Sequence, residues 1–442
     1  MAFQGKLFMS LRYPVANRMK LLSLSLFLVL LPAFLSAELC SVKPDNKFLG
    51  KRLNLYRGQQ NFAVSMLDVI RTSTPNDNVF FSPYSTYHAL LLAYFGATGE
   101  TEQQLSSVLY LDWAESKEMV RSAYSLEKRN RETRSRKSPL EFSSADRMYF
   151  CQETILASCL ETRFSDEIVK LDFKGKPEES RIQINDWIAS ETHNQIKDML
   201  APGDIDARTQ LALANAAYFK GQWISKFEVN NTAQKPFYTS STNASFVPMM
   251  HQKGTFLHNV DEQLRAHVLQ MPYRTSYNEA EEDEETNSNM SMVVVLPPFN
   301  SGSLEDVLSR LNAKTLEESL DNAMPREIEV SIPKFEFEQR LELVPILAKM
   351  GITKIFEPTA TFHDFTDGSV SFGDAKHVAK IKVDEEGSTA AAATVLVSYR
   401  SARPIEPTKF ECNHPFVFLI WDHASKAILF TGIYRDPKTI KQ

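Results

Sequence analysis

Cysteine is scarce, with four in 442 residues. That is too few for a small fold stapled by disulfides. Cys151 and Cys159 stand eight residues apart and could bridge, or both could be buried thiols; Cys40 and Cys412 are left unassigned. Excess positive charge is also missing. The net charge of −6 excludes nucleic-acid binding by the molecule as a whole, so any polyanion site has to be a local patch. Catalytic signatures are absent too. No Gly-x-Ser-x-Gly and no His-Glu-x-x-His occurs, and Gly96–Thr101 echoes a phosphate loop without its Gly-Lys-Ser/Thr ending. These gaps count against a protease, an esterase or a nucleotide hydrolase, and neither a metal nor a required cofactor is expected. There are no internal repeats. The one low-complexity piece, Glu279 to Glu285, has six acids in seven residues and reads as a solvated loop.

Long apolar runs are missing after the first 37 residues. Within them, Lys6, Arg12, Arg18 and Lys20 precede an apolar stretch from Leu21 to Leu35 that ends in Ser36-Ala37. This is the plan of a secretory signal, with Met19 as an alternative start. The stretch contains Pro32 and is short against the roughly 20 residues needed to span a bilayer. Residues 1–37 therefore read as a cleaved signal, 38–50 as a tail and 51–442 as a secreted domain without membrane attachment. Secretion gives meaning to three sequons, at Asn230, Asn243 and Asn289.

Hydrophobic spacing predicts a helix from Leu53 to about Arg71 and a short buried strand at Val79–Phe81. Ser82-Pro83 is an N-cap followed by proline at the first helical position, and the nearly all-apolar run to Phe95 makes a core helix that Gly96 stops. Residues 115–129 read as another helix. Strands are predicted at Leu211–Phe219, Met292–Leu296, Glu327–Phe335, Phe416–Trp421 and Ala427–Phe430, and a helix at Val344–Met350. Strands and helices mix without a regular βαβ rhythm, so the class is α+β.

Residues 385–403 fit none of these patterns. Gly387 opens a run of small residues, Ser388 to Ala393, followed by the β-formers Thr394, Val395, Leu396 and Val397 and then a basic tip. The run reads as a strand held in reserve. Side chains on a strand alternate faces, so Ser388, Ala390, Ala392 and Thr394 could all enter an existing sheet with nothing larger than threonine to bury. No proline or charge interrupts Gly387–Val397.

Several motifs, in order, resemble the serpin family of serine protease inhibitors over about residues 50–437. They are Phe80-Phe81-Ser82-Pro83-Tyr84-Ser85, Asn215-Ala216-Ala217-Tyr218-Phe219-Lys220-Gly221-Gln222-Trp223, Leu347-Ala348-Lys349-Met350-Gly351, Val383-Asp384-Glu385-Glu386-Gly387, Asn413-His414-Pro415-Phe416 and Phe430-Thr431-Gly432. The resemblance implies one domain of three β-sheets and about nine helices, with an exposed reactive-centre loop at about 385–406. It implies an inhibitor and not an enzyme, a monomer whose partner is a serine protease held in a covalent complex; the alternative within the family is a non-inhibitory relative acting as a carrier or chaperone, and the small residues of Gly387–Val397 argue for the inhibitor. Glu385, Glu386, Gly387, Ser388, Thr389, Ala390, Ala391, Ala392 and Ala393 match the loop hinge. Ser82, Asn215 and His377 match a polar shutter under the strands that part, and Trp223 matches the breach where the loop enters. Two registers of the hinge place the reactive bond at Arg400-Ser401, which a trypsin-like protease would read, or at Ser401-Ala402, which suits an elastase-like one. Lys128, Arg129, Arg131, Arg134, Arg136 and Lys137 fall where the family carries a heparin site, making a heparin-like glycosaminoglycan a candidate cofactor.

Overall fold

The computed structural model describes residues 52–135, 140–158, 160, 164–275, 290–385 and 407–439. The chain opens with α1 (Arg52–Ser73), β1 (Val79–Phe81), α2 (Pro83–Gly96), α3 (Gly99–Val108) and α4 (Lys117–Ser135). Next come β2 (Glu141–Cys151), β3 (Ile168–Leu171), α5 (Pro177–Glu191), β4 (Leu211–Lys220), β5 (Ala233–Ser240), β6 (Asn243–Asp261), β7 (Ala266–Pro272) and β8 (Met290–Leu296). Then follow α6 (Ser303–Arg310), α7 (Ala313–Asp321), β9 (Met324–Pro333), β10 (Phe335–Glu342), α8 (Leu343–Met350) and β11 (Phe372–Val383). The chain closes with β12 (Thr408–Glu411), β13 (Phe416–Asp422) and β14 (Ala427–Tyr434).

Helix α2 forms where the sequence placed it. The Ser82 side chain accepts the Ser85 N–H, Pro83 fills the first helical position, and every residue of the helix is buried. Burying each of Leu90, Leu91 and Leu92 contributes about 1.5–3 kcal/mol, so this helix is held by its surroundings on all sides. Helix α4 outruns its expected end at 129 and continues to Ser135. The apolar stretch Glu327–Phe335 is two strands. Pro333 has no N–H with which to continue the ladder, and Lys334 separates β9 from β10.

Among the described residues there are eight helices, and the strands form two hydrogen-bonded networks in place of three separate sheets. One network has nine strands, ordered β1-β14-β13-β8-β7-β6-β9-β12 with β5 also on β6. The 19-residue β6 is the reason for the fusion. Its first part pairs with β5, its middle with β9 and its end with β7, so one strand runs through what would be two sheets.

The second network has five strands, in the order β10-β11-β4-β2-β3. Its centre is a parallel pair, β4 beside β11, with Leu211↔Phe372 at one end and Phe219↔Ile381 at the other, and a register shift between Phe372 and Ala375. Helix α5 covers one face through Ile184 and Ile188, packed with Ala214, Ala216 and Val378 of the two central strands. On the opposite face lie Ala379 and Ile381, in one apolar cluster with Phe80 and Phe430 from the larger network.

Candidate functional site

The β4–β11 seam is closed by side chains as well as by backbone. Asn215 and His377 are direct cross-strand neighbours, both fully buried. The Ser82 N–H donates to His377 Nε2 at 2.9 Å, so that nitrogen carries a lone pair. Nδ1 must then hold the proton, which it donates to Asn215 Oδ1 at 2.5 Å. Burial pushes the His377 imidazole down to about 3, against a smaller upward pull from Asn215. The ring is therefore neutral at physiological pH, and one tautomer is fixed.

Asn215 is satisfied on both ends. Its amide donates to Ser85 Oγ at 2.6 Å and to Asp146 Oδ1, while Thr86 Oγ1 lies 3.3 Å from its carbonyl oxygen. Asp146 of β2 stands opposite Asn215 in register and also accepts from Ser85 and Ser144. Burial raises its carboxyl, and the bonds from Ser144 and Ser85 and the charge of Arg131 pull the other way. The chain His377–Asn215–Asp146 thus crosses three strands, with the first turn of α2 beneath it. Ser82 Oγ donates onward to the Leu429 carbonyl of β14 at 2.7 Å, linking the seam to the larger network.

A second group closes the end of the seam where β11 leaves the sheet. Trp223 Nε1 donates to the Asp384 carbonyl at 2.9 Å, and its ring stacks on Tyr273 with centroids 4.4 Å apart. The Phe227 N–H donates to the Glu385 carbonyl at 3.2 Å. The Glu385 carboxylate is 7% exposed and accepts from Lys334 Nζ at 2.7 Å and Thr232 Oγ1 at 2.8 Å. Burial pushes its carboxyl up, but the bonds from Lys334 and Thr232 outweigh that and hold it below its ordinary value. Val383–Glu385 is thereby tied down where the chain departs.

Ser82, Asn215 and His377 are brought together, and Trp223 stands at the end of their seam. Of the hinge, Glu385 is described; Glu386 to Ala393, the candidate bonds at Arg400, Ser401 and Ala402, and Arg136, Lys137, Cys159 and Asn289 lie outside the described residues. Asn230 and Asn243 are exposed. Cys151 ends β2 as a half-buried thiol packed beside α5, and its candidate partner Cys159 lies outside the described residues. The four described members of the basic cluster do not share one cationic face. Lys128 pairs with Glu167 at 2.5 Å, Arg134 grips Asp422 at 2.7 and 3.0 Å, and Arg131 lies over the Tyr84 ring at 5.4 Å. Of the four described members only Arg129 is exposed.

Sequence reading missed Asp146, Ser85, Thr86, Lys334 and Thr232. Two of them left a signal. Asp146 follows the small residues Ser143, Ser144 and Ala145 in the middle of a strand, and Lys334 interrupts an apolar run; buried or interrupting charges of this kind are rarely without a partner.

The family model described as Serpin (serine protease inhibitor) matches residues 57–437. Over 428 residues the chain is 66% identical to Serine protease inhibitor 88Ea of Drosophila melanogaster, covering 96% of this chain and 100% of that protein. Human Serpin B4 is 31% identical over 404 residues, covering 87% and 100%. Among solved structures, uncleaved ovalbumin matches with a TM-score of 0.74 at 25% identity, over 87% of this chain and 100% of that one. Maspin, at 24% identity, matches in fold with a TM-score of 0.78 over 88% and 100%. The chain belongs to the serpin family: it is a protease inhibitor and not an enzyme.

Proposed function

We propose that this chain is a secreted suicide inhibitor of trypsin-like serine proteases, acting by inserting its own loop into the five-stranded sheet. The observation that carries the reading is the parallel β4–β11 pair with the chain leaving β11 directly above it. A strand that continues from β11 and folds back between the two would run antiparallel to both. One parallel ladder, the weaker kind, would become two antiparallel ones. At about 3.3 Å per residue, the eleven residues Gly387–Val397 reach about 36 Å, more than the nine residues Leu211–Phe219 on the β4 side of the seam require. Their small side chains suit entry beneath α5.

In this scheme the protease's serine oxygen attacks the Arg400 carbonyl carbon, the Arg400–Ser401 bond breaks and the Ser401 amine departs. The remaining ester links Arg400 to the enzyme. Insertion of the freed strand then outpaces hydrolysis of the ester. The test is an SDS-stable complex with trypsin, with mass spectrometry of the released C-terminal peptide. That peptide starts at Ser401 on this reading and at Ala402 on the elastase-like alternative. Digestion without a complex, and without a rise in melting temperature of the cleaved protein, would overturn the mechanism.

The exposed Asn230 and Asn243 support N-glycosylation, which a mobility shift with peptide N-glycosidase would register. A heparin-like polyanion has weaker support, because acids already hold Lys128 and Arg134. Unchanged salt elution from heparin-Sepharose after neutralising residues 128–137 would remove it.

A further inference from the structure

Two imidazoles meet inside the nine-stranded network, away from the seam. His258 of β6 and His267 of β7 approach with Nε2 to Nδ1 at 3.1 Å and rings stacked at 5.3 Å. His258 is 1% exposed, and its Nδ1 has no hydrogen-bond partner. Its ring also meets the edge of Phe410, centroids 6.1 Å apart. Phe410 is the buried residue of β12, the four-residue edge strand through which the chain re-enters the fold after the loop. Among the described strands β12 pairs with β9 alone, and Thr408, Lys409 and Glu411 are exposed around Phe410. Short edge strands of this kind open at low free energy.

We propose that the His258–His267 pair is a proton-operated release for β12, and hence for the C-terminal anchor of the loop. In the neutral pair one ring's N–H donates to the other's lone pair. A proton added to His258 either lands on Nδ1, which has no acceptor, or sets N–H against N–H at 3.1 Å. Acid therefore either strands a charged N–H at a buried site with no acceptor or breaks the bond between the rings, and both outcomes weaken the packing under Phe410.

Among the described residues, no carboxylate acts on either ring to stabilise the charge. Arg326 from β9 acts on His258 with the same sign as a proton would. On β6 itself, Asp261 accepts from the Leu264 N–H. From α7, Ser319 meets Asn259, while Glu317 and Asp321 hold Lys426. Lys409 and Glu411 of β12 flank Phe410 on its exposed side, Lys438 belongs to the last turn packed on β6, and β5 pairs only with residues 243–249 of that strand. Burial first, then His267 and Arg326, push His258 down to about 4, and burial lowers His267. A base depressed in the folded state stabilises fully above its unfolded value near 6.5, and that stabilisation is lost as pH falls from there toward 4.

Hydrogen exchange of the full chain at pH 7.4 and 5.0 tests this, read as protection factors for residues 407–413 against residues 211–220. A shift from 6.5 to about 4 gives roughly 25-fold for a fully coupled group; half-exposure of His267 discounts this to about tenfold. Protection of 407–413 should fall by that factor at pH 5.0 while 211–220 holds, and the double variant His258→Leu, His267→Phe should lose the acid effect. Unchanged protection in the wild type, or the same acid loss in the double variant, would overturn the proposal. Should the variant not fold, wild-type imidazole NMR titration decides, since two rings titrating near 6.5 would also refute it. The readout needs no protease, so its failure is separate from failure of the inhibitor reading.

Discussion

The polar closure of the seam makes a quantitative prediction through His377→Leu. Leucine is close in size but can neither accept from the Ser82 N–H nor donate to Asn215. The Ser82 N–H is then buried without a partner, which costs about 1–3 kcal/mol. Asn215 Oδ1 keeps its contact with Thr86 at 3.3 Å, so its loss is smaller, about 1 kcal/mol. Together the variant should be about 2–4 kcal/mol less stable than wild type at pH 7.5, measured as the urea midpoint multiplied by an unchanged slope. The gap depends on pH. With a folded value of about 3 against an unfolded value near 6.5, wild-type His377 stabilises fully above 6.5 and loses that contribution as pH falls toward 3. The linked loss is about 2 kcal/mol by pH 5 and on the order of 4–5 kcal/mol by pH 3. The leucine variant has no such group, so the two stability curves should converge between about pH 5 and 3.5. A variant as stable as wild type at pH 7.5 would refute the claim that hydrogen bonds close the seam. A gap that stays constant from pH 7.5 to 4 would refute the neutral state assigned to His377.

Lys334→Ala leaves the buried Glu385 carboxylate with Thr232 as its side-chain donor; because Lys334 is itself partly exposed, the expected cost is about 1–2 kcal/mol in urea unfolding, with faster proteolysis near Glu385. Trp223→Phe should keep the stack on Tyr273 but lose the bond to Asp384, lowering stability by about 0.5–1.5 kcal/mol, read from the same midpoint. Gly432→Ala would set a Cβ 2.4 Å from the Phe418 ring and 2.8 Å from the Val79 carbonyl, so a loss of about 1–3 kcal/mol or more, or failure to accumulate as soluble protein, is expected. Ala390→Pro in the loop should raise the number of inhibitor molecules consumed per protease several-fold, because proline cannot join a central ladder; an unchanged stoichiometry would count against insertion.

Legibility followed local signal. Helix α2 was readable because a cap, a first-turn proline and an apolar run all agree with its burial on every side. The strands β4, β8, β13 and β14 were readable as apolar runs. Strand β6 was not, because it is buried in patches and carries Lys253, Gly254, His258 and Asn259 among its apolar residues. The seam's polar joint was half legible: Ser82, Asn215 and His377 came from the family resemblance, whereas Asp146 and Ser85 became visible when register placed Asp146 opposite Asn215. The basic cluster shows what spacing does not carry. Six cations lie within ten residues, and helical geometry sends the described Lys128, Arg131 and Arg134 toward different partners, each supplied by a distant part of the chain. Charge in sequence is local, while pairing is not.

On the proposed mechanism the seam has to open, and the joint at Asn215 and His377 bears on why such a seam would be closed with hydrogen bonds. An apolar contact across two strands loses its stabilisation gradually as the strands separate, and the exposed surface has to be covered again at once. A hydrogen bond is lost over a few tenths of an ångström, and its partners can be satisfied afresh by water or by an incoming backbone. Ser82, Ser85, Thr86, Asn215, Asp146 and His377 supply both donors and acceptors under the seam, so groups released by parting the strands remain next to alternatives. The neutral state of His377 belongs to the same logic. A charged imidazole there would have to be dehydrated again each time the sheet closed, whereas a neutral one exchanges bonds at about 1 kcal/mol each. On the proposed mechanism the joint thus holds the sheet shut against thermal opening while adding only a few kcal/mol to the barrier that the entering strand meets.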